Sequence, residues 1–317
     1  MRAVLKFLKD KAFYALALFL VIAPYVLQRY QFYILQRGVQ NSISVLGLVI
    51  LVGFTGLLSL GHAGFVALGA YAYGIAMVKL GLPVWVALII APLFSMLVSM
   101  LLAYPSFKLS GPFLVVITIA FGEIVRILIL NLQGITGGPY GLTGYKVLFT
   151  NGKVLYYVML GTLFLLAIFI RRLGNSRIGL AFKAIKEDEI AADVMGVNVR
   201  KHKLMAFMLS SALAGLSGVF MASLTRYINP DSFTFAESST YLLMVVMGGM
   251  QNVYGAITST IVITALPEVL RFLARSRLLI YSLTLLVYLR MYGNKGGLLQ
   301  MIGIKPKKAV SNTGSRS

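Results

Sequence analysis

Apolar residues in this chain gather into long blocks separated by short polar stretches. The blocks fall at roughly 12–28, 39–60, 63–80, 84–104, 112–131, 154–170, 204–224, 239–250, 254–272 and 278–292. Several approach the roughly 20 residues that a helix needs to cross a bilayer. A membrane β-barrel would instead show short segments of alternating character. The pattern predicts an all-α, polytopic membrane bundle of about ten crossings. Its transmembrane part, 12–292, would lie between an N-terminal stretch, 1–11, and a tail, 293–317. The block at 239–250 is short and ends in Met247, Gly248 and Gly249, followed by Met250, Gln251 and Asn252. That sequence reads as a break or a re-entrant turn, tolerated at membrane depth only against protein or a water-filled cavity.

The polar stretches set the orientation. Composition is 59% hydrophobic and 12% charged, with mean hydropathy +0.86, which leaves too little polar surface to cover soluble domains. Lys and Arg number 29 against 9 Asp and Glu, a net charge of +20. The basic residues lie mostly between blocks, so they read as topology signals and as contacts with anionic membrane lipid. No basic soluble module is present to bind nucleic acid. The N-terminus carries Arg2, Lys6, Lys9 and Lys11; the 171–203 stretch carries eight Lys or Arg; the tail carries Lys295, Lys305, Lys307, Lys308 and Arg316. With ten crossings all three fall on the cytoplasmic side, the expectation of the positive-inside rule. Arg271, Arg275 and Arg277 disagree, since their loop would lie outside. The first block follows its basic residues without a small-residue cleavage site, so it reads as a span rather than a signal peptide.

Candidate chemistry is sparse. The chain has no cysteine, which excludes disulfides and thiol catalysis. His62 and His202 cannot make a metal site by themselves. No G-x-S-x-G elbow and no G-x-x-x-x-G-K-[ST] phosphate loop occurs, so the chain is expected to be no enzyme and to hold no cofactor of its own. Glu123 and Arg126 lie inside one block at i, i+3 spacing, and Glu268 and Arg271 repeat it; each is expected to form a buried ion pair, because an unpaired charge there costs about 2.5–3.5 kcal/mol. Glycines cluster at Gly61, Gly64 and Gly69 and again at Gly248 and Gly249. They read as close helix packing or as paired helix breaks around a path, the mark of an internal repeat.

The one sizeable polar segment between spans is 174–203. Ile178, Phe182 and Ile185 sit at helical spacing. Glu187, Asp188 and Glu189 then open a second short helix, where acids suit the positive end of the dipole. Ile190, Ala191, Ala192, Val194 and Met195 continue it, and Gly196 can end it in the left-handed conformation. Small and apolar residues on such a helix read as a docking surface or, more plainly, as a solvated loop.

Taken together the residues resemble a known family. Gly56-Leu57-Leu58-Ser59-Leu60-Gly61-His62-Ala63-Gly64-Phe65, ending at Gly69-Ala70-Tyr71, is similar to the branched-chain amino-acid ABC transporter permeases. Thr118-Ile119-Ala120-Phe121-Gly122-Glu123-Ile124-Val125-Arg126 resembles their M-type subunit, as do Thr136-Gly137-Gly138-Pro139 and Gly141-Leu142-Thr143-Gly144. Ser176-Arg177-Ile178-Gly179, leading into Ala184 to Ala192 and closed by Met195-Gly196, looks like the family's cytoplasmic coupling motif; Gly248-Gly249 and Leu266-Pro267-Glu268 match as well. The sequence departs from the family pattern at Gly293 to Leu298 and at Met250 to Val253, which bears on the solute more than on the family. Permeases for urea and short amides share most of these motifs.

The resemblance implies a permease subunit of an ATP-driven importer in the cell membrane. It implies four kinds of company: an H-type second permease, two cytoplasmic ATP-binding subunits carrying ATP and Mg, an extracytoplasmic solute-binding protein, and lipid. It also implies that Glu187, Asp188, Glu189, Ile190, Ala191, Ala192, Val194, Met195 and Gly196 couple to the ATPases, while Gly61, His62, Gly64, Phe65, Gly69, Thr118, Gly248 and Gly249 read as positions of a translocation path or of helix breaks. An ion-coupled secondary transporter is the competing class, and an intramembrane hydrolase a third. The first would need unpartnered intramembrane acids; the second a nucleophile and base that no motif supplies.

Overall fold

The computed structural model describes residues 18–106 and 112–275, with side chains over 18–103 and 113–267. Contacts divide the chain into Met1–Ala265 and Leu266–Ser317. Of the second unit only the continuation of one helix to Arg275 lies among the described residues. The expected boundaries at 11 and 292, and the block at 278–292, lie outside them.

The described residues are mostly helical. A helix over 18–26, α1, is followed by α2 (Arg29–Leu48), α3 (His62–Val78), α4 (Val84–Ser106) and α5 (Pro112–Asn131). A single turn, α6 (Gln133–Thr136), precedes α7 (Gly152–Gly174). Two short helices, α8 (Arg177–Glu187) and α9 (Glu189–Val194), lead to α10 (Val199–Thr225), then α11 (Phe235–Gly248) and α12 (Val253–Arg275). Among the described residues five helices are long and apolar enough to cross a membrane: α2 with its extension to Phe54, α4, α5, α7 and α10. The apolar helices α3 and Val253–Pro267 are shorter.

Local signals explain the boundaries. Asn151 caps α7 by accepting from the Lys153 N–H, and Asn198 caps α10 by accepting from Lys201. α10 packs on α2, α3 and α4, and α2 is buried from Leu35 onward apart from the half-buried Arg37. α4, α5 and α7 leave most of their surface outward, as helices bordering lipid do.

Two features differ from the block pattern. α2 starts at Arg29, ten residues before the apolar block, and its Gln36, Gln40 and Asn41 are buried and bonded to other helices. The Gln36 Nε2 donates to the Gly152 carbonyl at 2.9 Å, Gln40 Nε2 to Ser217 Oγ at 2.7 Å, and Asn41 Nδ2 to Thr264 Oγ1 at 3.2 Å. Such interhelical bonds are the polar glue of membrane bundles. The second difference is a break. α2 runs on through a π-helical turn, Val49–Phe54, and then residues 55–61 leave the helix and double back. His62, the first residue of α3, lies beside Ser44, which is ten residues before Phe54 and so about 15 Å back along the helix. The apolar block 39–60 is therefore not one helical span. Within 55–61, Thr55, Ser59 and Gly61 are buried against protein, while Gly56 and Leu58 stay exposed.

Candidate translocation core and coupling segment

The doubled-back segment places α3's first residue deep in the bundle. Its backbone polar groups find partners: the Leu60 N–H donates to Thr118 Oγ1 at 3.1 Å, and the Ala63 N–H donates to Ser238 Oγ at 3.0 Å. Ser238 belongs to the first turn of α11, so two helices begin side by side inside the bundle. His62 is fully buried. Its Nε2 donates to the Ser44 carbonyl at 3.0 Å and its ring meets Tyr241 edge-on, with centroids 6.0 Å apart. Its Nδ1 has no partner among the described residues, nor do Ser44 Oγ, Ser59 Oγ and Gln40 Oε1. Unpaired polar groups at such a depth fit a site that water or solute enters in another conformation.

The sequence-selected glycines lie where helices touch through backbone. Gly61 rests against the Thr118 carbonyl, Gly64 against Gly122, Gly69 against Gly215 of α10, and Gly248 against Gly255. Phe65 is buried and stacks on Phe121, with centroids 4.7 Å apart. Thr118 is buried on the same side of α5. Gly61, His62, Gly64, Phe65 and Thr118 are thus neighbours. Gly248 and Gly249 stand apart from them, at the far end of α11, where Gly249 takes φ +86° and Asn252 N–H closes the turn on the Gly249 carbonyl at 2.7 Å.

The Glu123–Arg126 pair forms but is not sealed within this chain. Glu123 Oε2 lies 3.7 Å from Arg126 Nη1, but the two side chains keep 41% and 28% of their exposure, so within this chain the pair is not buried. Arg126 has a shorter partner, Asp231, at 3.1 Å, which arrives on the turn before α11. Pattern reading missed Asp231 because it lies 105 residues away. The second pair, Glu268 and Arg271, falls where side chains lie outside the described residues.

The 174–203 segment forms a platform at the α7–α10 junction. Asp188 caps α9 by accepting from the N–H groups of Ile190 and Ala191, at 2.9 and 3.0 Å. Ala192 packs with Ile185 and Val199 in a small satellite core. Lys203 on α10, only 5% exposed, holds Glu189 at 2.6 Å. Gly196 ends the turn at φ +86°, a left-handed backbone that suits glycine. The opposite face is bare: Ile190, Val194 and Met195 are about 80% exposed (79, 81 and 83%), with Ala191 beside them, while Glu187 points into the open as well. The platform is tied to the spans by Lys186, whose Nζ donates to the Gly53 carbonyl at 2.9 Å. Gly53 in turn presses on the Met250 carbonyl in the α11–α12 turn, too close for any side chain.

Comparison with known proteins places the chain in a family. Residues 30–289 match the family model described as branched-chain amino acid transport system / permease component. The chain is 34% identical to the high-affinity branched-chain amino acid transport system permease protein LivM of Escherichia coli (strain K12), over 96% of this chain and 78% of that one. This chain belongs to that permease family. It is also 28% identical to the probable LivM permease of Methanocaldococcus jannaschii, over 52% of this chain and 50% of that one. The Escherichia coli LivH permease matches at 28% over 36% of each chain. No solved structure matches. As a family member the chain is a multi-pass membrane permease.

Proposed function

We propose that this chain is the M-type permease of an ATP-driven ABC importer that carries branched-chain amino acids across the cell membrane, with its termini in the cytoplasm. A shorter H-type permease pairs with it, two ATP-binding subunits dock on α8 and α9, and an extracytoplasmic binding protein delivers the solute. ATP and Mg belong to the ATP-binding subunits, since this chain has no phosphate loop. The observation that carries the reading is the bare apolar face of α9, with Ile190, Val194 and Met195 exposed on a helix held by a buried lysine and a carboxylate cap. Apolar surface so placed is stable when a partner covers it.

The cycle follows from the Lys186–Gly53–Met250 relay. When the ATP-binding subunits close, α9 and α8 move as one platform, because the satellite core and Lys203 bind them to α10. Lys186 passes that motion to Gly53, and Gly53 to the α11–α12 turn. α11 shifts at its other end, where Ser238 holds the start of α3, and the contacts around His62 open or close. Two discrete packings of this junction correspond to outward-facing and inward-facing states. The experiment is copurification with the partner subunits followed by solute-stimulated ATP hydrolysis and uptake in proteoliposomes. Leucine stimulation supports the reading. Stimulation by urea or a short amide would move the solute class. Uptake by this chain alone under an ion gradient would replace the importer with a secondary transporter.

A further inference from the structure

The apolar sequence of α7 stops at Ile170, and Arg171 and Arg172 follow, so the chain reaches the depth of lipid headgroups there. Beside this end lies a cleft of about 280 Å³ between α7, α8 and the α11–α12 turn. Arg171 and Lys183 enter it from two helices, and Asn175, Gln251, Asn252 and Tyr254 line it. Among the described residues no carboxylate is in its walls. Arg171 Nη1 donates to the Tyr254 hydroxyl at 3.0 Å, and Lys183 Nζ donates to the Gly174 carbonyl at 2.7 Å, 5.8 Å from the centre of the Phe54 ring. These contacts fix the two cations and use one donor of each, leaving further N–H groups for a ligand. Two cations and three side-chain amides around one cleft select an anion with several acceptor oxygens.

We propose that this cleft binds the phosphate of an anionic membrane lipid, which clamps α8 of the coupling platform to the α11–α12 turn. Depth decides for a lipid over a soluble phosphate, since Arg171 sits where the apolar span ends and basic clefts between spans at that level hold lipid headgroups. The clamp spans the same two parts that the Lys186–Gly53–Met250 relay joins, so the bound lipid stiffens that relay.

The test uses the full-length chain in the assembly in which it is isolated, in nanodiscs of phosphatidylcholine alone or with phosphatidylglycerol. Thermal unfolding and native mass spectrometry of retained lipid are the readouts. Phosphatidylglycerol should raise Tm and be retained over phosphatidylcholine. The double change Arg171→Gln with Lys183→Gln should weaken that retention about thirtyfold, while Arg172→Gln, outside the cleft, should keep the Tm gain. Should the double variant fail to fold, the wild-type comparison still decides. Equal retention of both lipids by the wild type, or undiminished retention by a folded double variant, would overturn the proposal. An equal Tm gain from inorganic phosphate in phosphatidylcholine discs would assign the cleft to a soluble anion and overturn the lipid.

Discussion

Replacing Glu189 by Ala probes how the platform is held. Lys203 is 5% exposed and Glu189 43%, with the charged atoms 2.6 Å apart. Removing the carboxylate strands a buried ammonium. Breaking a fully buried pair costs about 3–5 kcal/mol, and breaking a surface pair about 0–1 kcal/mol. One partner here is buried and the other half in water, so about 2 kcal/mol is the expected loss. Lys203→Met removes the buried charge instead and leaves Glu189 in contact with solvent, at a cost of under about 1 kcal/mol. The double change should recover most of the Glu189→Ala loss. Hydrogen exchange at the amides of residues 190–194 reads the local opening of α9. Exchange should quicken about thirtyfold in Glu189→Ala and no more than about fivefold in Lys203→Met or the double variant. If Lys203→Met opens α9 as much as Glu189→Ala, the asymmetry argument is wrong.

Single cysteines report cleanly in a chain that has none. Cysteine at Asp188 should resist an impermeant thiol reagent in intact cells and cysteine at Thr143 should be labelled, both positions being exposed; the reverse labelling would invert the orientation. Arg126→Ala should lower Tm more than Glu123→Ala, because the first leaves two carboxylates without their cation and the second leaves Arg126 paired to Asp231; an equal loss would mean that Asp231 contributes nothing. Gly69→Ala should cost about 1–3 kcal/mol, since its methyl would enter the Gly215 backbone, whereas Gly161→Ala, with open space around it, should be neutral; a neutral Gly69→Ala in thermal unfolding would contradict the close α3–α10 contact.

The helical form of the 174–203 segment was legible because its signals are local. A carboxylate cap at Asp188, five small or apolar residues and a glycine that takes φ +86° lie within nine residues. Hydropathy was a poorer guide where burial and polarity part. The first ten residues of α2 look like a loop because Gln36 and Arg37 interrupt the apolar pattern, yet Gln36 is buried and bonded to the start of α7. The reverse error occurs at 55–61, apolar enough to extend a span but non-helical, because Leu60 and Ala63 find their hydrogen-bond partners on α5 and α11. The partners of Glu189, Arg126 and Lys186 lie 14, 105 and 133 residues away, and no spacing rule reaches them. Arg171 and Lys183 read as topology charges, and only the fold brings them to one cleft.

The platform's role is tested most directly by ATP-driven leucine uptake in proteoliposomes that contain the chain, its partner subunits and the binding protein, with Gly196→Val compared with wild type. Gly196 has nothing within 4 Å of a side chain placed there, so the change acts through the backbone alone. A β-branched residue at φ +86° costs about 1–3 kcal/mol and disfavours the turn that presents Ile190, Val194 and Met195. Membrane insertion depends on the spans and should be unchanged. The account predicts normal membrane expression, weakened retention of the ATP-binding subunits and loss of ATP-driven uptake. Full uptake with the subunits bound as in wild type would contradict it.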